Sequence, residues 1–421
     1  MLSILFTWLE ELNTLQNQIE ASPSESIDMV HQVTNFTKSM ITVLALGIEP
    51  DNTICDYFYT EQCLYHLKTI FDFGLESAIF PMPRWLWSYI PHCYQIEQAA
   101  RVADTAFTAA CKTVIDYKQH LFTSGQTLSH QYAMLDSLFQ REESGMLWLS
   151  AEEILANVKV FYLAGSDTTA STLTWICYYY AIYPEVAEKV RDEFIAYFAS
   201  KNKKKDKSWP SSLPQFQAMI KATATANGDC DGCGWEINDF QQLTYCQAVV
   251  KETIRLKAPG NFLYLEVNSS DDANANANEK KNKKKKKKDK DVMLSNGLII
   301  ESDTSLFLNI DSMLLREDPF TEPSSFCPER WLASSDDNNE EKLKKMEQYF
   351  LAFGGGTRVC PGMGLALLEA TTAAALLAYF FVMELTCPVA EIQRIQSFTV
   401  SANKMPIRLN LRDNTTSSSS S

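Results

Sequence analysis

Histidine is scarce in this chain of 421 residues: there are five, and none follows His130. The C-terminal two-thirds therefore lack the imidazole that a histidine-rich zinc site or a serine–histidine triad requires. Any metal chemistry there must rest on cysteine. Long apolar runs are missing from the N-terminus, where MLSILFTW is stopped by Glu10 and Glu11. A membrane span takes ~20 apolar residues, so the sequence as written carries no N-terminal anchor. No signal peptide is visible either. Eleven cysteines, scattered and odd in number, fit buried reduced thiols better than a disulfide framework. A basic surface is absent too. The formal charge is -14, and two Lys-rich segments, 201–207 and 279–291, hold fourteen of the 38 basic residues and four of the 52 acidic ones. The remainder carries 24 basic against 48 acidic residues. Such a body does not suit nucleic acid, because Lys and Arg supply most of the affinity for phosphate.

What is present is ample apolar material. A hydrophobic fraction of 46%, with 23 Phe, 17 Tyr and 8 Trp, fits a globular chain with a sizeable core. The length allows one large domain or two to three smaller ones. Helical periodicity is predicted over Phe36 to Ile48 and over roughly 94–120, separated by the Pro- and Trp-rich connection 80–91. From Ser150 to Tyr183 the pattern predicts one long buried helix, with Ser150 and Glu153 as a capping box and Pro184 ending the run. An amphipathic helix over 184–199 follows, with Pro184 in its first turn. Further helices are expected at 239–257 and at about 361–383, strands at 297–309, and a terminal hairpin over 397–412. Low-complexity insertions interrupt the chain near 200–235 and 268–291, and a Ser-rich tail occupies 413–421; disorder is expected in the second insertion and the tail.

Three constellations carry chemistry. In FGGGTRVCPGMG, residues 353–364, consecutive glycines let backbone approach a flat ligand and take positive φ. Cys360 then stands just before an Ala/Leu-rich helix. A thiol at a helix N-terminus sits in the positive end of the dipole, which favours the thiolate, and a thiolate is a competent axial iron ligand. Arg358 can pair with a carboxylate of a bound group. The plain alternative is a glycine-rich turn beside an ordinary buried cysteine. The second constellation, AGSDTT (164–169), puts Asp167 and Thr168 in the middle of the long helix, where an unpaired polar group costs about 1–3 kcal/mol. Ala164 and Gly165 remove bulk just before them and would open a groove. Read plainly, it is a Thr-rich helix with local back-bonding. The third joins Glu252 and Arg255, an i,i+3 pair that on a surface is worth a few tenths of a kcal/mol, to Arg330 in PERW. Cys230 and Cys233 have half-site spacing but no second pair or nearby histidine, so they read as an incidental loop pair. The Lys runs read as solvated insertions, and the cluster around Trp85 and Trp87 as packing.

The spacing Phe353–x–x–Gly356–x–Arg358–x–Cys360–x–Gly362 resembles the haem-binding loop of cytochrome P450 enzymes, and the other two constellations occur in that family's order. The resemblance extends over essentially the whole chain. It implies a mainly α fold with minor β-sheets, the cytochrome P450 fold lacking part of its N-terminal lobe, as a single domain over 1–412. It implies haem b (iron protoporphyrin IX) held by Cys360, with Phe353, Gly356, Arg358, Gly362 and Ala164 around it. It assigns proton handling to Asp167 and Thr168, and a structural network to Glu252, Arg255 and Arg330. The implied reaction inserts one oxygen atom of O2 into a small lipophilic substrate. Electrons come from NADPH through a redox partner of the P450 reductase or ferredoxin type. Phe262 and Leu263 are expected substrate contacts. Family habit places the full-length protein at the endoplasmic reticulum membrane, with the plastid as the alternative.

Departures keep two rivals in view. The family's tryptophan and, four residues on, arginine that hold a haem propionate have no counterpart, since Trp85 is followed four residues on by Tyr89. No basic residue stands in 260–267. The chain therefore reads as truncated at its N-terminus, and a catalytically inactive haem-fold protein is one alternative. The other is a haem–thiolate isomerase or dehydratase, against which the Asp167–Thr168 pair speaks.

Overall fold

The computed structural model describes residues 1–19, 26–50, 52–79, 83–124, 133–139, 149–202, 210, 212–216, 218, 237–266, 291–302, 304–332, 337–396 and 399–412. Both insertions fall largely outside the described residues, and Cys230, Cys233 and the tail 413–421 wholly so. The architecture is mostly helical. The longer helices are α1 (Leu2–Ile19), α2 (Met29–Ile41), α3 (Glu61–Ile79), α4 (Pro91–Thr123) and α5 (Ala151–Ile182). They continue with α6 (Pro184–Asn202), α7 (Thr244–Leu256), α8 (Asp337–Tyr349) and α9 (Met363–Phe380). Short strands complete the chain: β1 (Ile27–Asp28), β2 (Phe262–Glu266), β3 (Val292–Met293), β4 (Ile299–Ile300), β5 (Ser305–Asn309), β6 (Phe381–Leu385), β7 (Arg394–Gln396), β8 (Val400–Ala402) and β9 (Pro406–Leu411).

Helix starts obey their local chemistry. At α5 the Ser150 hydroxyl accepts from the Glu153 amide (3.2 Å), and the Glu153 carboxylate accepts from the Ser150 amide (2.8 Å). Pro91 and Pro184 open α4 and α6, where a missing N–H costs nothing. Asp28 caps α2 through the Val30 amide. That helix starts and ends earlier than its periodicity suggests: after Ile41 it relaxes into a π turn over Thr42–Leu46, ended by Gly47 at φ 67°.

The apolar face of α1 docks inward, with Leu5, Phe6, Trp8, Leu9 and Leu12 all buried. They join α2, α5, α6, α7 and α9 in the largest core cluster. Helix α9 is long and apolar enough to cross a membrane, yet two-thirds of it lies inside the fold. Its last two-thirds, Glu369–Phe380, are entirely buried, as expected of a central core helix.

Two expected boundaries need correction. The apolar run after Cys360 does not stay helical to 383: it breaks at Phe381, where β6 pairs antiparallel with β9 (Phe381 opposite Leu411). Tertiary pairing outweighs helix propensity there. Nor is 397–412 a hairpin. Strand β8 pairs back with β7, whereas β9 is the centre of the three-stranded sheet β1–β9–β6. Alternation identifies a strand but not its partner.

Candidate active site

The Gly-rich loop leads from a short turn at Leu351–Phe353, through a second at Gly356–Arg358, into α9. Only two of its three consecutive glycines need to be glycine. Gly354 and Gly356 have φ of 74° and 65°, where an L-residue costs roughly 1–2 kcal/mol, while Gly355 is extended. The Cys360 amide donates to the Phe353 carbonyl at 2.9 Å, folding the loop back on itself and pinning the cysteine just before α9. Residues 355–359, Arg358 included, are exposed, and Cys360 is half-buried, so its thiol is reachable by a group laid along the loop. A Cβ at Gly362 would stand 3.8 Å from the Cys360 Sγ. Phe353 packs half-buried against the core. The nine described cysteines are all free. Cys55 and Cys177 are fully enclosed, and burial pushes their thiols up to about 12; Cys360 is far more accessible.

Helix α5 packs against α9 and is covered on most sides, but one strip of its surface is open. Val160 (61% exposed), Ala164 and Thr168 lie at i, i+4 and i+8 on that strip. The Thr168 hydroxyl donates to the Ala164 carbonyl at 2.7 Å. Gly165 does not open a groove for a ligand: a Cβ there would meet the Ile41 Cδ1 at 2.5 Å, so its missing side chain admits α2. Asp167 points elsewhere again. Its carboxylate accepts from the Thr399 hydroxyl, and burial raises its pKa, opposed by Thr399, Lys38 and Lys68. The acid and the alcohol, adjacent in sequence, therefore serve two sides of the helix and share no hydrogen bond.

The charged cluster is fully built. Glu252 is completely buried and accepts from Arg255 Nε and Nη2, both at 2.8 Å, and from Arg330 Nε at 3.0 Å. The Trp331 indole (2.9 Å) and the Cys327 amide (3.0 Å) complete its shell. Arg255 also donates to the carbonyls of Leu314, Pro323 and Ser325. Its role is to fasten the segment before the cysteine loop onto α7.

The Cytochrome P450 family model matches residues 2–272 and 282–408 of this sequence. The chain belongs to the cytochrome P450 family. Among its relatives, cytochrome P450 71D8 of Glycine max is 24% identical over 381 residues, covering 89% of this chain and 63% of that protein. Putative cytochrome P450 CYP13A7 of Caenorhabditis elegans is 24% identical, over 87% of this chain and 64% of that protein. Dihydroniloticin synthase CYP71CD4 of Ailanthus altissima is 25% identical over 250 residues, 59% of this chain and 38% of that protein. The chain thus spans a little under two-thirds of the length of the first two relatives.

Three residues of this P450 site carry no signal in the sequence. Trp331, beside Arg330, is recognisable only once its indole meets Glu252. Thr399 and Lys38 lie 232 and 129 positions from Asp167, and only the fold brings them to it. Of the two expected substrate contacts, Phe262 is 47% exposed on β2, while Leu263 turns inward against a smaller core cluster.

Proposed function

We propose that this P450 chain holds haem through the Cys360 thiolate and works as a monooxygenase on a lipophilic organic substrate, with electrons from NADPH by way of a reductase partner. The observation that carries the reading is Cys360 itself: a reachable thiol at the start of a core helix, on a loop whose backbone is bare at Gly354, Gly355 and Gly356. The same fold buries most of the other described cysteines, so a ligand role falls naturally on this one. When bound, haem supplies an iron centre that activates O2.

The chain's own residues then have separate tasks. Phe353 closes one side of the loop, and Arg358, exposed beside Cys360, would pair with a carboxylate of the bound haem. The open strip of α5 at Val160, Ala164 and Thr168 offers a surface without bulk, bearing one hydroxyl for a proton donor. Asp167 holds the next proton on the neighbouring face of the helix. Phe262 offers an exposed apolar ring to substrate. Association with the endoplasmic reticulum membrane belongs to the same proposal and rests on the family resemblance alone.

The test is the reduced, CO-bound difference spectrum of the haem-loaded chain beside Cys360→Ala. The expected result is a thiolate-type Soret band that disappears in the variant while the circular dichroism of the chain does not change. A band that survives in Cys360→Ala would overturn the ligand assignment. A thiolate band without substrate oxidation in the presence of a reductase and NADPH would favour the inactive haem-fold reading.

A further inference from the structure

Behind Asp167 lies a cavity of about 360 Å3 between α2, α3, α5 and the β7–β8 hairpin. Its rim carries the exposed His31 and Lys68; its floor carries Lys38, Asp167 and Thr399. Lys38 is completely buried, and its ammonium has no hydrogen-bond partner among the described residues. The open strip with Thr168 is turned about a third of the way around α5 from the middle of the cavity face, and Asp167 is the residue of that face next to Thr168 in the chain.

Thr399 is 5% exposed, and the hairpin that bears it is fastened at three points. The Ser171 hydroxyl of α5 donates to the Val400 carbonyl. The Val400 amide donates to the Pro259 carbonyl at 2.8 Å. Asn261 and Gln396 exchange amide hydrogen bonds of 2.6 and 2.8 Å. The donor that meets the Asp167 carboxylate is therefore held by the surrounding fold and does not depend on a mobile side chain alone. The charged groups facing that carboxylate come from two helices: Lys38 from α2 and Lys68 from α3, both attracting it. Of the others on the cavity wall, His31 stands at the rim, and Asp28 is already engaged by the Val30 and Met405 amides.

We infer that Thr399 is a positioning residue for Asp167: it holds the carboxyl at the inner end of this cavity, so that protons reach α5 from the side of α2 and α3. The inference rests on the assignment of Asp167 as a proton donor and extends it with a route and a residue. One consequence is physical coupling. A ligand that displaces the β7–β8 hairpin also displaces the hydrogen bond on Asp167, linking occupancy to proton delivery.

The test compares Thr399→Val, Thr399→Ser and Asp167→Asn in the full chain. The first readout needs no haem: the infrared titration of the carboxyl band that Asp167→Asn removes. Loss of a donor to the ionised form raises a carboxyl's midpoint, so Thr399→Val is expected to move it up by about one pH unit and Thr399→Ser to return it. The second readout, in the haem-loaded chain with reductase, is product formed per NADPH consumed. Thr399→Val is expected to lower this ratio several-fold, with the CO-bound spectrum unchanged and Thr399→Ser restoring the ratio. An unmoved midpoint in Thr399→Val, or a failure of Thr399→Ser to rescue, overturns the positioning role. If Asp167→Asn leaves the ratio intact, the donor assignment itself falls and takes the route with it; if only Asp167→Asn lowers the ratio, Thr399 alone is refuted.

Discussion

Single side chains in this molecule act mainly through what burial does to their charge. Glu252 has no exposed surface and satisfies two guanidinium groups and an indole, so removing its charge leaves Arg255 buried without a counterion. Breaking a buried pair from one side costs about 3–5 kcal/mol. Glu252→Gln should lower the urea midpoint accordingly, whereas Trp331→Phe, which removes one donor to the buried carboxylate and leaves both guanidinium groups in place, should cost about 2 kcal/mol. Equal midpoints for Glu252→Gln and the parent chain would refute this. Glu369 shows the opposite arrangement. It is 5% exposed on α9 with Oε1 unpartnered, and burial pushes its carboxyl up to about 8, partly offset by the nearby amino terminus. The folded state therefore keeps a proton that the unfolded chain releases, so stability is greatest below the unfolded pKa and falls as pH rises toward about 8. The slope should reach up to about 1.4 kcal/mol per pH unit. Glu369→Gln should flatten it, as measured by urea unfolding at several pH values.

At the scale of elements, α5 is the piece on which the site depends, and two local devices set its position. Its start is held by the reciprocal bonds of Ser150 and Glu153, and Ser150→Ala should cost about 1 kcal/mol. Its crossing with α2 is set by Gly165, where a methyl group would press on Ile41. Overpacking costs about 1–3 kcal/mol, while alanine improves helix propensity by about 1. Gly165→Ala should therefore destabilise by about 1 kcal/mol net. Adding Ile41→Val, which clears the atom in the way, should restore the parent melting temperature. Additive losses in the double variant would mean that the two helices do not meet as described.

For the whole molecule, the ends of the chain are joined. Strand β9 lies between β1 and β6, the Leu409 amide donates to Gln16 of α1, and the Met405 amide donates to Asp28 at the start of α2. Ile407 and Leu409 are fully buried in the same core as α1 and α9. Deleting residues 406–412 should therefore abolish cooperative unfolding of the entire chain instead of fraying one end. Thermal unfolding followed by circular dichroism checks this; a truncated chain that still melts sharply near the parent temperature would contradict it.

Helix identity and the backbone shape of the cysteine loop were legible in the sequence because both depend on neighbours in the chain. The capping box at Ser150, the prolines that open α4 and α6, and the spacing from Phe353 to Gly362 all act within a few residues. The same holds for the i,i+3 pair of Glu252 and Arg255, although its burial, and so its worth, did not show. What only the tertiary structure decided involves partners far apart in sequence. Phe381 leaves the helix because β9 is there to pair with it, and β8 and β9 part company because their partners β7 and β6 belong to different sheets. Gly165 admits a neighbouring helix, and Asp167 turns to Thr399, away from Thr168. Local propensities are worth tenths of a kcal/mol to about one per residue, so wherever burial or a buried hydrogen bond was at stake, the long-range partner prevailed.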